Sequence, residues 1–193
     1  MANQGRVLDG NLFRVGIIGA GVMGEAFIAA LIRSGIHPSS ITAVVRRQER
    51  GTELKEKYGI NIAELSEVTK DSDVLLVGIK PQGLSELMPE ITPYLPAHTL
   101  VISLLAGKTI DGISTGLGNH GCIARVMPNT PTLIGKGMAG YSLSGGVTTE
   151  QRTFVQKLIM AILFIVIMAI LLIAISLLRP PSPRAAAPGR PRA

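Results

Sequence analysis

Phe13-Arg14-Val15-Gly16-Ile17-Ile18-Gly19-Ala20-Gly21-Val22-Met23-Gly24 is an apolar strand that runs straight into three spaced glycines. From Val22 to Ile32 the pattern turns helical, with a stop at Ser34-Gly35. This order is what a dinucleotide pyrophosphate requires. The first glycine allows a tight turn, and the second lets backbone approach the phosphates. The third lets the helix pack close to the strand, while the helix N-terminus offers unpaired N–H groups and a positive dipole end. Gly19, Ala20, Gly21, Val22, Met23 and Gly24 are therefore expected to border a dinucleotide.

The second strand, Ile41 to Val45, decides which dinucleotide. An NAD site places Asp or Glu at the end of this strand, about 20 residues past the glycines, to bond the ribose hydroxyls. Here the strand ends in Arg46-Arg47. A carboxylate there would repel a 2′-phosphate, whereas a guanidinium binds it through two parallel hydrogen bonds. The expectation is NADP(H). The competing reading makes Arg46, Arg47 and Arg50 only the solvated start of the next helix.

Composition narrows the class. The chain has 193 residues, enough for one ordinary domain and an appendage, and a folded unit of about 140 residues buries an adequate core. The net charge of +6 does not read as a nucleic-acid signal. Arg179, Arg184, Arg190 and Arg192 crowd the C-terminal end, and no aromatic-rich basic face exists to stack bases. The single cysteine, Cys122, excludes an internal disulfide framework and fits a reducing cytosol. In its apolar run it reads as a small core residue rather than a nucleophile. His37, His98 and His120 have no ligand-type neighbours at metal-binding spacing, so no metal site is expected. Residues 1–12 read as a short, flexible, polar N-terminus with no apolar signal run.

Farther along, strands alternate with helices. A charged helix spans Gln48 to Tyr58, followed by a short strand at Ile60 to Ile62 and a short helix at Glu64 to Lys70. Val74 to Ile79 and Leu100 to Ser103 are continuous apolar runs, the mark of strands buried on both faces. Gly83 to Met88 and Thr109 to Leu117 are helical, while Cys122 to Met127 and Met138 to Leu143 read as strands. The sum is an α/β fold with a doubly wound, mostly parallel sheet of Rossmann type, spanning residues 13–148.

In such a sheet, ligands bind beyond the C-terminal ends of the strands. Three more strand ends then become candidates. Ile79, Lys80 and Pro81 follow the fourth strand, Ala106 and Gly107 follow the fifth, and Asn129 follows the sixth. Lys80 can reach phosphate or ribose, or be a solvated loop lysine. Ala106 and Gly107 are small enough to let backbone pass a flat nicotinamide ring. Asn129, between prolines, either orients an amide or carboxylate or simply forms a turn.

Together these elements resemble pyrroline-5-carboxylate reductase. The resemblance rests on Gly19 to Gly24, Ile79-Lys80-Pro81-Gln82, Ala106-Gly107, Arg125-Val126-Met127-Pro128-Asn129-Thr130-Pro131 and Gly135-Lys136-Gly137, in this order and spacing. It covers roughly residues 13 to 158. It implies reduction of 1-pyrroline-5-carboxylate to L-proline with NADPH, in the cytoplasm, with a small-molecule substrate and no nucleic acid. It also implies a C-terminal helical domain that carries a Ser-Gly-Ser-Gly-Pro segment, completes the substrate site and forms the oligomer.

The chain departs from that pattern after residue 148. Thr148 and Gln151 are spaced as a capping box, and Phe154, Val155 and Leu158 begin an amphipathic helix. The helix then becomes wholly apolar, so that residues 149–178 read as one long hydrophobic helix and residues 179–193 as a disordered Pro/Arg-rich tail. No catalytic side chain is legible. By length, residues 158–178 are a membrane-anchor candidate. The arginines beyond them would hold the tail in the cytosol and put the nucleotide unit outside, which disfavours that reading. A frameshift, fusion or cloning scar accounts better for the abrupt change of composition, which would make the chain a truncated reductase. A helix buried between subunits is the third reading. A non-catalytic NADP(H)-binding module, tail-anchored or not, is the alternative function.

Overall fold

The computed structural model describes residues 13–129 and 138–162. Among these residues seven strands form one sheet in the order β3-β2-β1-β4-β5-β6-β7. They are β1 (Val15–Ile18), β2 (Ile41–Val44), β3 (Asn61–Ile62), β4 (Val74–Val77), β5 (Leu100–Ser103), β6 (Ile123–Pro128) and β7 (Ala139–Leu143). The pairs from β3 through β6 are parallel, and only β6 and β7 run antiparallel. The helices are α1 (Val22–Arg33), α2 (Gln48–Tyr58), α3 (Leu65–Asp71), α4 (Leu84–Ile91), α5 (Ile110–Gly116) and α6 over residues 149–162.

Central strands β1, β4 and β5 are buried at every position, as their unbroken apolar sequences require. Apolar side chains of α1, α2 and α6 share one core layer, and those of α3, α4 and α5 share the opposite one. This two-sided cover follows from right-handed crossovers that run in opposite directions from β1. At the N-terminal edge, Asp73 accepts the Arg14 backbone N–H at 2.8 Å and pairs with the Arg14 guanidinium at 3.3 Å, tying β1 to β4.

The helix α4 runs three residues past the expected Met88. The physical reason is the burial of Ile91 together with Leu87 and Met88 on one face, with Pro89 on the exposed side. Cys122 lies just before β6, half-buried rather than inside the core, with its thiol donating to the Gly146 carbonyl at 3.2 Å. Burial pushes that thiol's pKa up, which suits an unreactive group.

The start of α6 is a reciprocal capping box. Gln151 N–H donates to Thr148 Oγ1 at 3.2 Å, and Thr148 N–H donates to Gln151 Oε1 at 3.0 Å. The Gln151 amide also donates to the His98 carbonyl at 2.8 Å. From this fixed entry, Phe154, Val155, Leu158, Ile159 and Ile162 pack into the same layer as α1. The compact unit thus extends past residue 148 through α6. Among the described residues no helix is long and apolar enough to cross a membrane. The remainder of the expected long apolar helix, the expected tail at 179–193, the N-terminus at 1–12 and residues 130–137 lie outside the described residues.

Candidate dinucleotide site

The last full row of the sheet is Val44, Ile18, Val77, Ser103, Arg125 and Ser142, each paired to the next. Every candidate loop leaves from this one edge. Strand order reverses at β1, so the crevice between the ends of β1 and β4 is the switch point where α/β sheets take ligands.

The three glycines of the turn serve three different needs. Gly19 has φ +92°, and a Cβ there would stand 2.7 Å from the Gly78 backbone carbon at the end of β4. A Cβ on Gly24 would stand 2.4 Å from the Gly19 carbonyl oxygen, so α1 can begin close to β1 only without one. A Cβ on Gly21 would meet nothing within 4 Å. The first and third glycines are demanded by the protein itself. The second faces open space, as expected where backbone must leave room for a ligand. Val22, the first residue of α1, is 71% exposed beside it.

Arg46 and Arg47 follow β2 at this edge, both exposed, and their guanidinium groups make no hydrogen bond or ion pair among the described residues. Lys80 is exposed after β4, with Ile79 and Pro81 half-buried beside it, and Pro81 opens a short 3-10 turn. Ala106 and Gly107 are exposed after β5, Gly107 at φ +70°. These loops share one edge of the sheet with the glycine turn. Asn129 also lies there, but its Oδ1 accepts the Met138 N–H at 2.9 Å while its own N–H donates to the Met138 carbonyl at 3.0 Å. These two bonds tie Asn129 to Met138.

Arg50 differs from its neighbours. It is not solvated: its guanidinium bonds the Glu25 carboxylate, Glu53 at 3.0 Å and the Ala20 carbonyl at 3.3 Å. Glu25, in the first turn of α1, also accepts from Lys57 at 2.8 Å and from the Tyr58 hydroxyl at 2.9 Å. The sequence contains no local signal for this cluster, because Glu25 and Arg50 are brought together only by packing of α1 against α2. Arg125 was legible only as part of a motif. In the structure its Nε is buried with no hydrogen-bond partner among the described residues, and Arg125 stands in the last full row of the sheet. An unpaired buried donor of this kind is a ready partner for an anion.

The bonds from Lys57, then Arg50, hold the Glu25 carboxyl down at about 2, against a modest upward push from burial and with Tyr58 assisting. A carboxyl whose pKa is lowered by folding stabilises the fold above its unfolded value of 4.5, and that stabilisation is lost as pH falls toward 2. Urea midpoints should therefore separate wild type from Glu25→Gln above pH 4.5 and converge toward pH 2. A constant gap across that range would show that the cluster is held by packing rather than by charge.

A cavity of about 220 Å³ opens at the opposite edge, lined in part by Arg14, Ser40, Asp71 and Ser72. It lies at the strands' N-terminal ends, away from the glycine turn, and contributes nothing to this site. Among the described residues no group of three or more His, Cys, Asp or Glu is placed to hold a metal ion.

Comparison with known proteins agrees with this geometry. Residues 14–107 match the family described as NADP oxidoreductase, coenzyme F420-dependent. A pyrroline-5-carboxylate reductase of Corynebacterium melassecola is 35% identical over 152 residues, covering 77% of this chain and 56% of the relative. The solved pyrroline-5-carboxylate reductase of Coxiella burnetii superposes with a TM-score of 0.74 at 28% identity, over 79% of this chain and 57% of that one. A pyrroline carboxylate reductase of Plasmodium falciparum, solved with NADP bound, matches in fold with a TM-score of 0.68 at 24% identity, over 78% of this chain and 55% of that one. The chain spans about half the length of the relatives it matches. Over its dinucleotide-binding unit, this chain is similar in sequence and fold to the pyrroline-5-carboxylate reductases.

Proposed function

We propose that this chain supplies the NADP(H)-binding half of an NADPH-dependent reductase that converts 1-pyrroline-5-carboxylate to L-proline in the cytoplasm. The observation that carries the reading is the glycine turn at the switch point, with open space at Gly21 and two free arginines at the end of β2. The residues proposed to border the cofactor are Gly19 to Gly24, Arg46, Arg47, Ile79 to Pro81, Ala106, Gly107 and Asn129. The N–H groups at the start of α1 would face the pyrophosphate, and Arg46 and Arg47 the 2′-phosphate. Bound NADPH supplies the hydride that reduces the imine carbon. The chain's part is to orient the ring and exclude water from one side. A carboxylated substrate carries an anion, and the half-buried guanidinium of Arg125, in the last full row of the sheet, is a cation suited to meet it. The relatives' length implies that substrate binding and assembly into homo-oligomers need residues beyond this unit.

The experiment is a fluorescence titration of the full chain with NADPH and with NADH, followed by assay of substrate-dependent NADPH oxidation. Wild type should bind NADPH more tightly. Arg46→Ala combined with Arg47→Ala should weaken NADPH by about 10- to 100-fold, the worth of one or two charge-assisted pairs, and leave NADH unchanged. Equal affinities for both nucleotides in wild type would sink the assignment of the arginines. Tight NADPH binding without turnover would reduce the chain to a binding module.

A further inference from the structure

Three nitrogens of Arg50 are engaged within the chain, and one of them reaches the glycine turn itself. Its Nε donates to the carbonyl of Ala20, a residue only 5% exposed, at 3.3 Å. Nη1 donates to Glu53 at 3.0 Å and Nη2 to the Glu25 carboxylate. Because a trans peptide is planar, a carbonyl and the N–H that follows point in opposite directions. With the Ala20 carbonyl turned toward Arg50 and α2, the Gly21 N–H is turned away from them. Gly21 is exposed, with nothing near its Cβ position, and its N–H donates to no group among the described residues. Glu25 poses a second problem for an anionic ligand. It is a carboxylate in the first turn of α1, where a diphosphate would sit. Arg50 and Lys57 both pair with it there.

We infer that Arg50 is a positioning residue for the dinucleotide's pyrophosphate. It orients the Ala20–Gly21 peptide so that the Gly21 N–H faces the phosphates, and it neutralises Glu25 beside them, without touching the ligand. The inference rests on the NADP(H) reading above. It separates Arg50 from Arg46 and Arg47, which sequence alone places in one basic run. The pyrophosphate is common to NADPH and NADH, whereas the 2′-phosphate belongs to NADPH only.

The test is titration of the full chain and of Arg50→Ala and Arg50→Lys with both nucleotides. Each variant's fold is checked by far-UV circular dichroism. Arg50→Ala should weaken NADPH and NADH by the same factor, about tenfold, so that their ratio stays at the wild-type value. Arg50→Lys keeps the charge but has no Nε to bridge Ala20, and should lose affinity for both nucleotides without restoring wild type. It also carries the test if Arg50→Ala does not fold. Loss of NADPH affinity alone would make Arg50 a 2′-phosphate ligand and overturn the inference. So would unchanged affinity for both. Wild type that binds neither nucleotide would instead overturn the dinucleotide reading itself.

Discussion

Gly21→Ala is expected to unfold within about 2 °C of the parent chain yet to bind NADPH about 10- to 100-fold more weakly. The two halves of this result have separate causes. Gly21 has φ −74°, which alanine adopts freely, and its Cβ position is open, so the fold has no reason to object. The added methyl would occupy the space through which phosphate oxygens must approach the backbone N–H groups. Gly19→Ala is the contrasting variant. Its φ of +92° and the Gly78 backbone 2.7 Å from a Cβ would cost about 2–6 kcal/mol of stability as well as binding. Thermal unfolding with and without NADPH distinguishes the two. A Gly21→Ala protein that binds NADPH like the parent would place the phosphates elsewhere.

Phe154→Ala should be the most damaging core substitution in α6, costing about 3–5 kcal/mol. Phe154 is 1% exposed, and its ring meets that of Phe13 edge-on with centroids 5.0 Å apart. Against a total stability of about 5–15 kcal/mol, this loss would lower the urea midpoint by about a fifth or more. Phe154→Leu, which keeps most of the buried volume, should retain most of that stability. The comparison asks whether α6 belongs to the dinucleotide-binding unit or merely begins an appendage. An unchanged midpoint in Phe154→Ala would detach α6 from the core. The packed positions Leu158, Ile159 and Ile162 predict the opposite. The apolar run that begins at Leu158 is therefore, over its first turn, ordinary core sequence that covers the α1 side of the sheet.

Much of the fold was readable because its signals are local. An apolar run such as Val74 to Val77 has few alternatives to a buried strand, and Thr148 with Gln151 announces a helix start whatever follows. The glycine turn was readable for the same reason: Gly19 and Gly24 answer steric demands from the neighbouring strand end and within the strand-turn-helix unit, and Gly21 between them leaves its Cβ position open. Element boundaries were less legible where tertiary burial extends a helix, as Ile91 does for α4. The antiparallel direction of β7 was equally hidden, because alternation of side chains is the same for either direction.

The sequence by itself determined the α/β class, the position of the glycine turn and the pair of arginines that follows β2. All three depend on residues close together along the chain. Only the tertiary structure decided which polar groups remain free for a ligand. It removed Arg50 from the basic run by pairing it with Glu25, and it turned the Asn129 carbonyl oxygen toward Met138. It also left the Arg125 Nε buried without a partner among the described residues. Side-chain partners are set by which helices pack together at a distance in sequence, and a charge's availability depends on that packing rather than on its neighbours along the chain.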